Sequence, residues 1–306
     1  MTITNRHTLY GVTVNETVLG GITAQNVDLG LEVRGEARSG EPYARHQAVV
    51  ARRPSAGFTT EAVAAALGVC GVLGYDLSGG DGLILTAQKA ASGGTRASGA
   101  VHRQYTMARG LLVPTSLECA DGGDASISYQ ASAVSADGST DPFVESDTEA
   151  LPSGLTDAER FALGAVSVAG VTLSHVKNLS INFGVSVRVE SAGGDLFPTF
   201  VWIDKVQPSI TIRGLDLEWL KSTNIPRAGT TGTHANTKIY LRKRSGSSFV
   251  ADATEEHILL TAAGRAWVDD PFSDSGDGAE ASVTIQPYYD GTNTPIVVDT
   301  TSALPA

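Results

Sequence analysis

The two halves of this 306-residue chain carry the same sequence pattern in the same order. The segment 142–152 recurs at 295–305, and Asp137-Gly138 recurs as Asp290-Gly291. Upstream, further segments recur about half a chain apart: 29–34 at 183–188, Pro54-Ser55 at Pro208-Ser209, and 102–113 at 257–268. Chance explains one such window but not an ordered series. The sequence therefore predicts two tandem copies of one domain, 1–153 and 154–306, which is typical raw material for a ring with pseudo-symmetry.

Alternating apolar and polar residues predict a long β-hairpin in each copy. The alternation runs over 27–34 in the first copy and over 179–190 in the second. A glycine-containing turn and a second extended stretch follow, at 46–52 and at 199–205. Period-two alternation places apolar side chains on one face of a strand and polar ones on the other. We expect the apolar faces of both hairpins to pack on the core of a β-sandwich.

Helices are predicted to be few and short. The segment 60–67 has a threonine cap and strong helix formers, and 214–220 is its counterpart in the second copy. Between the copies, Thr156 and Glu159 have the spacing of a capping box and predict a short helical turn. With 34 Gly and 18% charged residues, the composition is that of a β-rich chain with many turns. The predicted fold is mainly β, with two tandem β-sandwich domains that each carry a long hairpin and one short flanking helix.

The sequence contains no convergent set of catalytic or metal-binding residues. The six histidines are scattered, at positions 7, 46, 102, 175, 234 and 257. His102 and His257 correspond between the copies, and we expect strand residues there rather than ligands. The acidic segment 269–278 lacks the alternate spacing and closing Glu of a calcium loop, so a solvated turn is expected. No nucleophile elbow or phosphate loop is present, so the predictions are no enzyme activity, no cofactor and no metal.

Charge and cysteine usage favour an acidic protein of a reducing compartment. The net charge is −11, and acidic residues outnumber basic ones in both halves, which argues against a nucleic-acid-gripping module. Cys70 and Cys119 have no counterparts in the second copy and are expected to be free buried thiols. No segment approaches the roughly 18 apolar residues that a membrane span requires, and no secretory signal precedes the first strand. We expect a soluble protein made in a cytoplasm, with no membrane partner.

A basic cluster of Arg242, Lys243 and Arg244 lies beside a Ser- and Gly-rich turn. Two interpretations remain open for it. One is an ordinary solvated turn, and the other is contact with an acidic neighbouring subunit.

The order of elements in each copy resembles that of the tail tube proteins of long-tailed bacteriophages. The resemblance lies in HILLTAAGRAWVDDPF at 257–272, followed by an acidic turn and an alternating strand. It lies also in RGLLVPTSLECADGGDASISYQASAVSADG at 109–138. It implies β-sandwiches with a flanking helix whose long hairpins join into one barrel, in rings stacked into a tube. Members with two tandem copies form trimeric, pseudo-hexameric rings, and the duplication here is similar to theirs.

The resemblance also implies partners, a location and a lumen. The expected partners are further copies of the chain, the tape measure, tail terminator and baseplate proteins, and double-stranded DNA in transient passage. The expected location is the virion tail, with assembly in the host cytoplasm. A bore that lets DNA slide should repel phosphate, and the polar hairpin faces would line it. The residues expected there are Asp28, Glu32, Arg34, Ser180, Asn182, Ser186, Arg188 and Glu190. The alternative is that these are ordinary solvent-facing residues of a free sandwich.

Two other functions remain open. One is another phage tail component, a distal tail or baseplate hub protein, although such proteins commonly carry extra domains. The other is a tandem β-sandwich binding protein or adhesin, which should carry an exposed aromatic cluster for sugar stacking. The three tryptophans, at 202, 219 and 267, lie in apolar-periodic contexts, which argues against it.

Overall fold

A computed structural model describes residues 6–37, 39–40, 42–79, 82–90, 102–155, 159–215, 218, 225–274 and 279–305. Within these residues the chain forms one α-helix, α1 (Val63–Cys70), and a 3-10 turn at Leu77–Gly79. The strands of the first half are β1 (Arg6–Val14), β2 (Thr17–Leu19), β3 (Ile22–Asp28), β4 (Leu31–Ala37), β5 (Ala44–Arg52), β6 (Ser55–Thr60), β7 (Tyr75–Asp76), β8 (Leu83–Ala90), β9 (His102–Met107), β10 (Gly110–Ala120), β11 (Ser126–Ala133) and β12 (Phe143–Glu149). Those of the second half are β13 (Phe161–Val168), β14 (Val171–Leu173), β15 (Val176–Asn182), β16 (Val185–Glu190), β17 (Phe200–Val206), β18 (Ser209–Gly214), β19 (His234–Ser245), β20 (Ser248–Phe249), β21 (His257–Asp274), β22 (Ala279–Pro287) and β23 (Ile296–Ser302). The predicted mainly β class is confirmed.

The strands pair antiparallel in two large sheets and two separate ribbons. A five-stranded sheet has the order β12-β9-β8-β1-β2. A fourteen-stranded sheet follows the path β14-β13-β19-β21-β22-β18-β15-β10-β11-β6-β3, with β7, β20 and β23 attached at its side. The two-stranded sheets are the first ribbon, β4 with β5, and the second ribbon, β16 with β17.

Each half repeats the pairing order of the other. The first half has β12-β9-β8-β1-β2 and β10-β11-β6-β3; the second has β23-β21-β19-β13-β14 and β21-β22-β18-β15. The difference is one break. The strand β21 runs unbroken and pairs with β19 and β23 near its start and with β22 further along, whereas the first half divides the same stretch into β9 and β10. Residues at the same place in the two pairing patterns are called equivalent below.

The ribbons match residue by residue. In the first ribbon Leu31 lies opposite Arg52 and Glu36 opposite His46, with one extra residue, Val50, bulged out of β5. In the second ribbon Val185 lies opposite Val206 and Glu190 opposite Phe200, with Asp204 bulged at the same step. A β-bulge is a specific local feature, so its recurrence at the equivalent position strengthens the correspondence between the ribbons.

The alternating stretches 27–34 and 179–190, expected as continuous strands of the long hairpins, do not form single strands, so that expectation is wrong. Each is divided at a glycine with positive φ, Gly30 at 56° and Gly184 at 59°. The Asp28 Oδ1 atom accepts the N–H of Gly30 at 2.9 Å, and the Asn182 Oδ1 atom accepts that of Gly184 at 2.8 Å. The backbone thus turns out of the large sheet and starts a ribbon. Apolar alternation continues through the turn, so periodicity alone does not reveal it.

The halves are joined by direct pairing of β10 with β15, here called the junction. Residues 116–120 lie antiparallel to 178–182. The side chains of Leu117, Leu179 and Ile181 are fully buried there. They join a continuous core to which both halves contribute, in which the rings of Phe58 and Tyr129 stack with centroids 5.4 Å apart. The junction therefore makes one continuous sheet from strands of both halves.

The helical expectations need correction. Helix α1 begins at Val63 rather than at Thr60, whose hydroxyl oxygen accepts the N–H of Ala62 at 3.0 Å and donates to the carbonyl of Gly20 at 2.7 Å. In the counterpart 214–220, Gly214 ends β18, and most of the rest lies outside the described residues. Thr156 of the expected capping box also lies outside them. The acidic segment 269–278 is not a turn throughout, because β21 extends to residue 274.

Candidate functional site

The two ribbons are exposed to different degrees, although their backbones match. Every described residue of β4 is exposed, including the apolar Leu31 at 53% and Val33 at 60%. The equivalent Val185 and Val187 of the second ribbon are half-buried. The expectation that both apolar faces pack on the sandwich core is therefore wrong for the first ribbon. Its apolar face is open to solvent in the single chain.

Backbone hydrogen bonds connect the second ribbon and its turn to the first half. The carbonyl of Leu196 accepts the N–H of Arg52 at 2.8 Å, and that of Pro198 accepts the N–H of Ser135 at 2.7 Å. The carbonyl of Gly138 in turn accepts the N–H of Leu196 at 3.0 Å. Beyond this turn, β10 of the first half contacts both strands of the second ribbon, and Val185 packs against the buried core.

The predicted lumen residues of the first half lie at exposed positions. Asp28 ends β3, and Glu32 and Arg34 lie on the first ribbon. The Arg34 guanidinium is 3.0 Å from the Glu36 carboxylate. At high exposure such a pair contributes little to stability.

The predicted lumen residues of the second half fall into two groups. Ser186, Arg188 and Glu190 alternate along one exposed side of β16. Ser180 and Asn182 instead belong to β15, inside the junction, where Ser180 lies opposite Glu118 and Asn182 opposite Ser116. The structure brings the ribbon residues together on one face, but Ser180 and Asn182 lie in a different sheet.

Aromatic side chains share that face of the second ribbon, which the sequence analysis missed. Phe200 lies opposite Glu190, and Trp202 lies opposite Arg188. Phe200 is 62% exposed and Trp202 is 40% exposed. Together with Arg109 of the first half they line an open cleft between the halves. The expectation that Trp202 lies in an apolar context is wrong, and alternation with Asp204 along β17 is the signal that could have placed it outward.

The basic cluster is paired within the chain. Arg242 lies 2.6 Å from Asp252, and Lys243 lies 2.7 Å from Glu159 and 2.8 Å from Glu256. The hydrogen bond to Glu159, and then that to Glu256, raises the pKa of Lys243. The hydrogen bond from Lys243 lowers the pKa of Glu256. That this basic cluster also contacts an acidic neighbouring subunit stays a prediction.

Arg244 links the two halves. It lies 2.8 Å from Asp124, on which Arg160 also converges at 3.1 Å. The guanidinium groups of Arg242 and Arg244 lie over the ring of Phe249, at 4.5 and 4.9 Å from its centroid. These contacts hold the cluster against its own chain, where it contributes to the arrangement of the halves.

The two matched histidines are buried strand residues. His102 is 5% exposed and His257 is fully buried. The Nδ1 atom of His257 accepts the N–H of Lys243 at 3.0 Å, which leaves Nε2 to donate to the carbonyl of Ala251 at 3.1 Å. The His257 side chain therefore connects β19 to the loop that contains Ala251. Over the described residues there is no group of three or more His, Cys, Asp or Glu side chains placed to hold a metal ion.

Both cysteines are unpaired and buried. Burial raises the pKa of Cys70 to about 12 and that of Cys119 to about 11. A thiol with so high a pKa is a poor nucleophile at neutral pH. These side chains are core residues, as the sequence predicts.

Comparison with known proteins found no protein family that matches the chain and no similar curated protein. In the part of the chain that the structure describes, no helix has the length and apolar character needed to cross a membrane.

Proposed function

We propose that the chain is a structural subunit that assembles with copies of itself into trimeric, pseudo-hexameric rings stacked into a tube. This is the organisation expected of a bacteriophage tail tube, located in the virion tail. Three chains with two equivalent halves each would supply six similar units around one axis. The repeated strand order and the shared bulge position of the ribbons support a duplicated domain.

The observation that carries the proposal is that the apolar face of the ribbon occurs twice in the chain, half-buried in the second ribbon and exposed in the first. The second ribbon contacts β10 of the first half of the same chain and its Val185 and Val187 are half-buried, while the equivalent apolar residues of the first ribbon are exposed. Contiguous apolar exposure on a monomer commonly marks an interaction site. The cover that fits is a second copy of this chain, because the equivalent surface already has that cover within the chain.

Charge supports passage of DNA through such a tube. The chain carries a net charge of −11, which would repel phosphate and let a duplex slide rather than bind. The ribbon residues Glu32, Arg34, Ser186, Arg188 and Glu190 are exposed and would line the bore. The tape measure, tail terminator and baseplate proteins would be further partners.

The first test is direct imaging of the purified full chain. Negative-stain electron microscopy should show annuli with a central hole, and sedimentation should give a particle of three times the 31.7 kDa chain mass, or stacks of it. Monodisperse single chains at high protein concentration would contradict the proposal.

A matched pair of substitutions tests the ribbon face. Val33 on the first ribbon is 60% exposed, and Val144 on β12 is 61% exposed. Both Val33→Asp and Val144→Asp should therefore fold normally, as checked by circular dichroism. Val33→Asp should abolish annuli because it places a charge in the subunit contact, whereas Val144→Asp should retain them. Equal loss in both variants would show that the ribbon face has no special role.

A carbohydrate-binding role is the second candidate, favoured by the exposed Phe200 and Trp202 in the cleft between the halves. Aromatic side chains at a cleft are a common feature of ligand sites. A glycan-binding screen with wild-type chain should give hits that Trp202→Ala removes if this role is correct. A screen without hits would leave the structural role alone.

A further inference from the structure

We propose that copies of this chain join edge to edge, with β3 of one copy pairing antiparallel with the last residues of β21 in the next. At Asp270 the pairing uses the register that β15 and β10 use in the junction, and a second irregularity of β21 follows between Asp270 and Ser273. This inference rests on the proposed self-assembly and names the strands that carry it.

The strand pairing shows two edges without a partner where their equivalents have one. The strand β15 pairs with β18 on one side and with β10 on the other. Its equivalent β3 pairs among the described strands with β6 alone. On the other side of the junction, β10 pairs with β11 and β15, whereas residues 270–274 of β21 pair among the described strands with β22 alone. An unpaired strand edge is a ready template for another chain.

Burial shows the same asymmetry. Phe183, which follows β15, is 2% exposed, and its N–H donates to the carbonyl of Thr115 across the junction at 3.1 Å. The equivalent Leu29 is 49% exposed. On the partner strand Leu117 is fully buried, while Phe272, near the end of β21, is 68% exposed. Both sides of a covered junction thus recur as uncovered apolar surface.

The strand pairing fixes the register on the β3 side. Asn182 ends β15 opposite Ser209, and Asp28 ends β3 opposite Ser55. Each of these Asx side chains accepts the N–H of the glycine two residues later. Asp28 therefore takes the place of Asn182.

A bulge fixes the register on the β21 side. In β10 the bulged residue is Thr115, and Ser116 after it pairs with Ser128. In β21 the bulged residue is Asp269, and Asp270 after it pairs with Ser282. Asp270 therefore takes the place of Ser116. In the contact between copies, Asp28 lies opposite Asp270, as Asn182 lies opposite Ser116 within the chain.

The contact between copies should be weaker than the junction because its residues pair less favourably. Two carboxylates face each other where the junction has an amide and a hydroxyl, and like charges directly opposite destabilise a strand pair. Pro271 follows Asp270 and has no N–H to donate, and proline is typical of edges that are protected from uncontrolled pairing. Association should therefore strengthen with added salt, which screens the two carboxylates.

The test is disulfide trapping in the full-length chain with oxidised glutathione as the oxidant. Asp28→Cys with Asp270→Cys should give covalent species larger than one chain on non-reducing gels. Ser116→Cys with Asn182→Cys, the equivalent pair in the junction, should cross-link within one chain and serves as the geometric control. The native Cys70 and Cys119 are buried and do not compete.

A register control uses the same strand edge. Ala24 lies four residues before Asp28 on β3, which moves the thiol about 13 Å along the strand at roughly 3.3 Å per residue. A disulfide does not span that separation, so Ala24→Cys with Asp270→Cys should give at least about tenfold less cross-linked product. Equal yields from both pairs would overturn the proposed register.

The outcomes separate this inference from the proposed function. Cross-linked products that stop at the trimer support both edge pairing and ring closure. A ladder that continues past the trimer supports edge pairing but contradicts closed trimeric rings. Annuli without cross-linking of the Asp28→Cys and Asp270→Cys pair overturn edge pairing and leave the rings standing. Single chains without cross-links overturn both.

Discussion

Truncation of Phe183 should destabilise the folded chain far more than truncation of its equivalent, Leu29. Alternation in the sequence gives the two positions the same apolar role, but their exposures are 2% and 49%. Phe183 shares a small recess with Val72 and Leu73 of the first half. The substitutions Phe183→Ala and Leu29→Ala therefore compare a covered and an open copy of one surface.

The expected difference follows from burial. A buried phenylalanine replaced by alanine costs about 3–5 kcal/mol, because a cavity adds to the lost transfer energy. A fully buried leucine side chain contributes about 1.5–3 kcal/mol, so the half-exposed Leu29 should cost about 1 kcal/mol. The gap of at least about 2 kcal/mol corresponds to a change of roughly 30-fold in the unfolding equilibrium constant.

Urea unfolding at a concentration where the protein is a single chain measures this difference. With a slope of about 3 kcal/mol per molar urea, the midpoint should fall by at least about 1 M for Phe183→Ala and by under about 0.5 M for Leu29→Ala. At high concentration, sedimentation of the same samples should show that Leu29→Ala, although it folds normally, weakens self-association. Equal midpoint shifts would refute the claim that the junction covers one copy of the surface and leaves the other open.

Three further outcomes follow from local geometry. Gly184→Ala should lower the urea midpoint and disturb the start of the second ribbon, because φ is positive there and a Cβ would meet the carbonyl of Gln207; an unchanged midpoint would contradict it. His257→Ala should lower the free energy of unfolding by at least about 2 kcal/mol, because it leaves a cavity in place of a fully buried imidazole and removes its hydrogen bonds to the Lys243 N–H and the Ala251 carbonyl; thermal unfolding against wild type checks this. Asp137 accepts backbone N–H groups of its turn, which lowers its pKa; at Asp290 the hydrogen bond from the Asn293 side chain, and then backbone N–H groups, lower the pKa. The contribution of the Asp137 carboxylate to the free energy of unfolding is therefore fully present above about pH 4 and is lost as the pH falls through the lowered pKa of the folded state. Wild type and Asp137→Ala should therefore differ in stability at pH 7 and converge in acid.

The sequence was a good guide to what depends on local pattern. The glycine-containing turns are examples: Asp137 and Asp290 each accept the N–H groups of the residues two and three positions later, in turns that the Asp-Gly pairs predict. The buried histidines, His102 and His257, also occupy strands as expected. These features depend on side chains and backbone groups close in sequence, so pattern alone locates them.

The candidate site was harder to predict, because it depends on which surfaces other segments cover. Ser180 and Asn182 belong to the junction rather than to a ribbon, since the chain turns at Gly184 between the two. Trp202 is exposed because the first half covers only part of the second ribbon. Neither the turn nor the partial cover changes the alternation of apolar residues, so the pattern does not record them.

By itself, the sequence determined the mainly β class, the positions of the tight turns and the repetition of one pattern along the chain. These follow from side-chain periodicity and from turn chemistry, which act over a few residues. Only the tertiary structure decided that β10 pairs with β15, so that one copy of a surface is buried and its equivalent stays open. Those pairings depend on contacts between segments far apart in sequence, so two stretches with the same apolar alternation, 27–34 and 181–188, meet different surroundings.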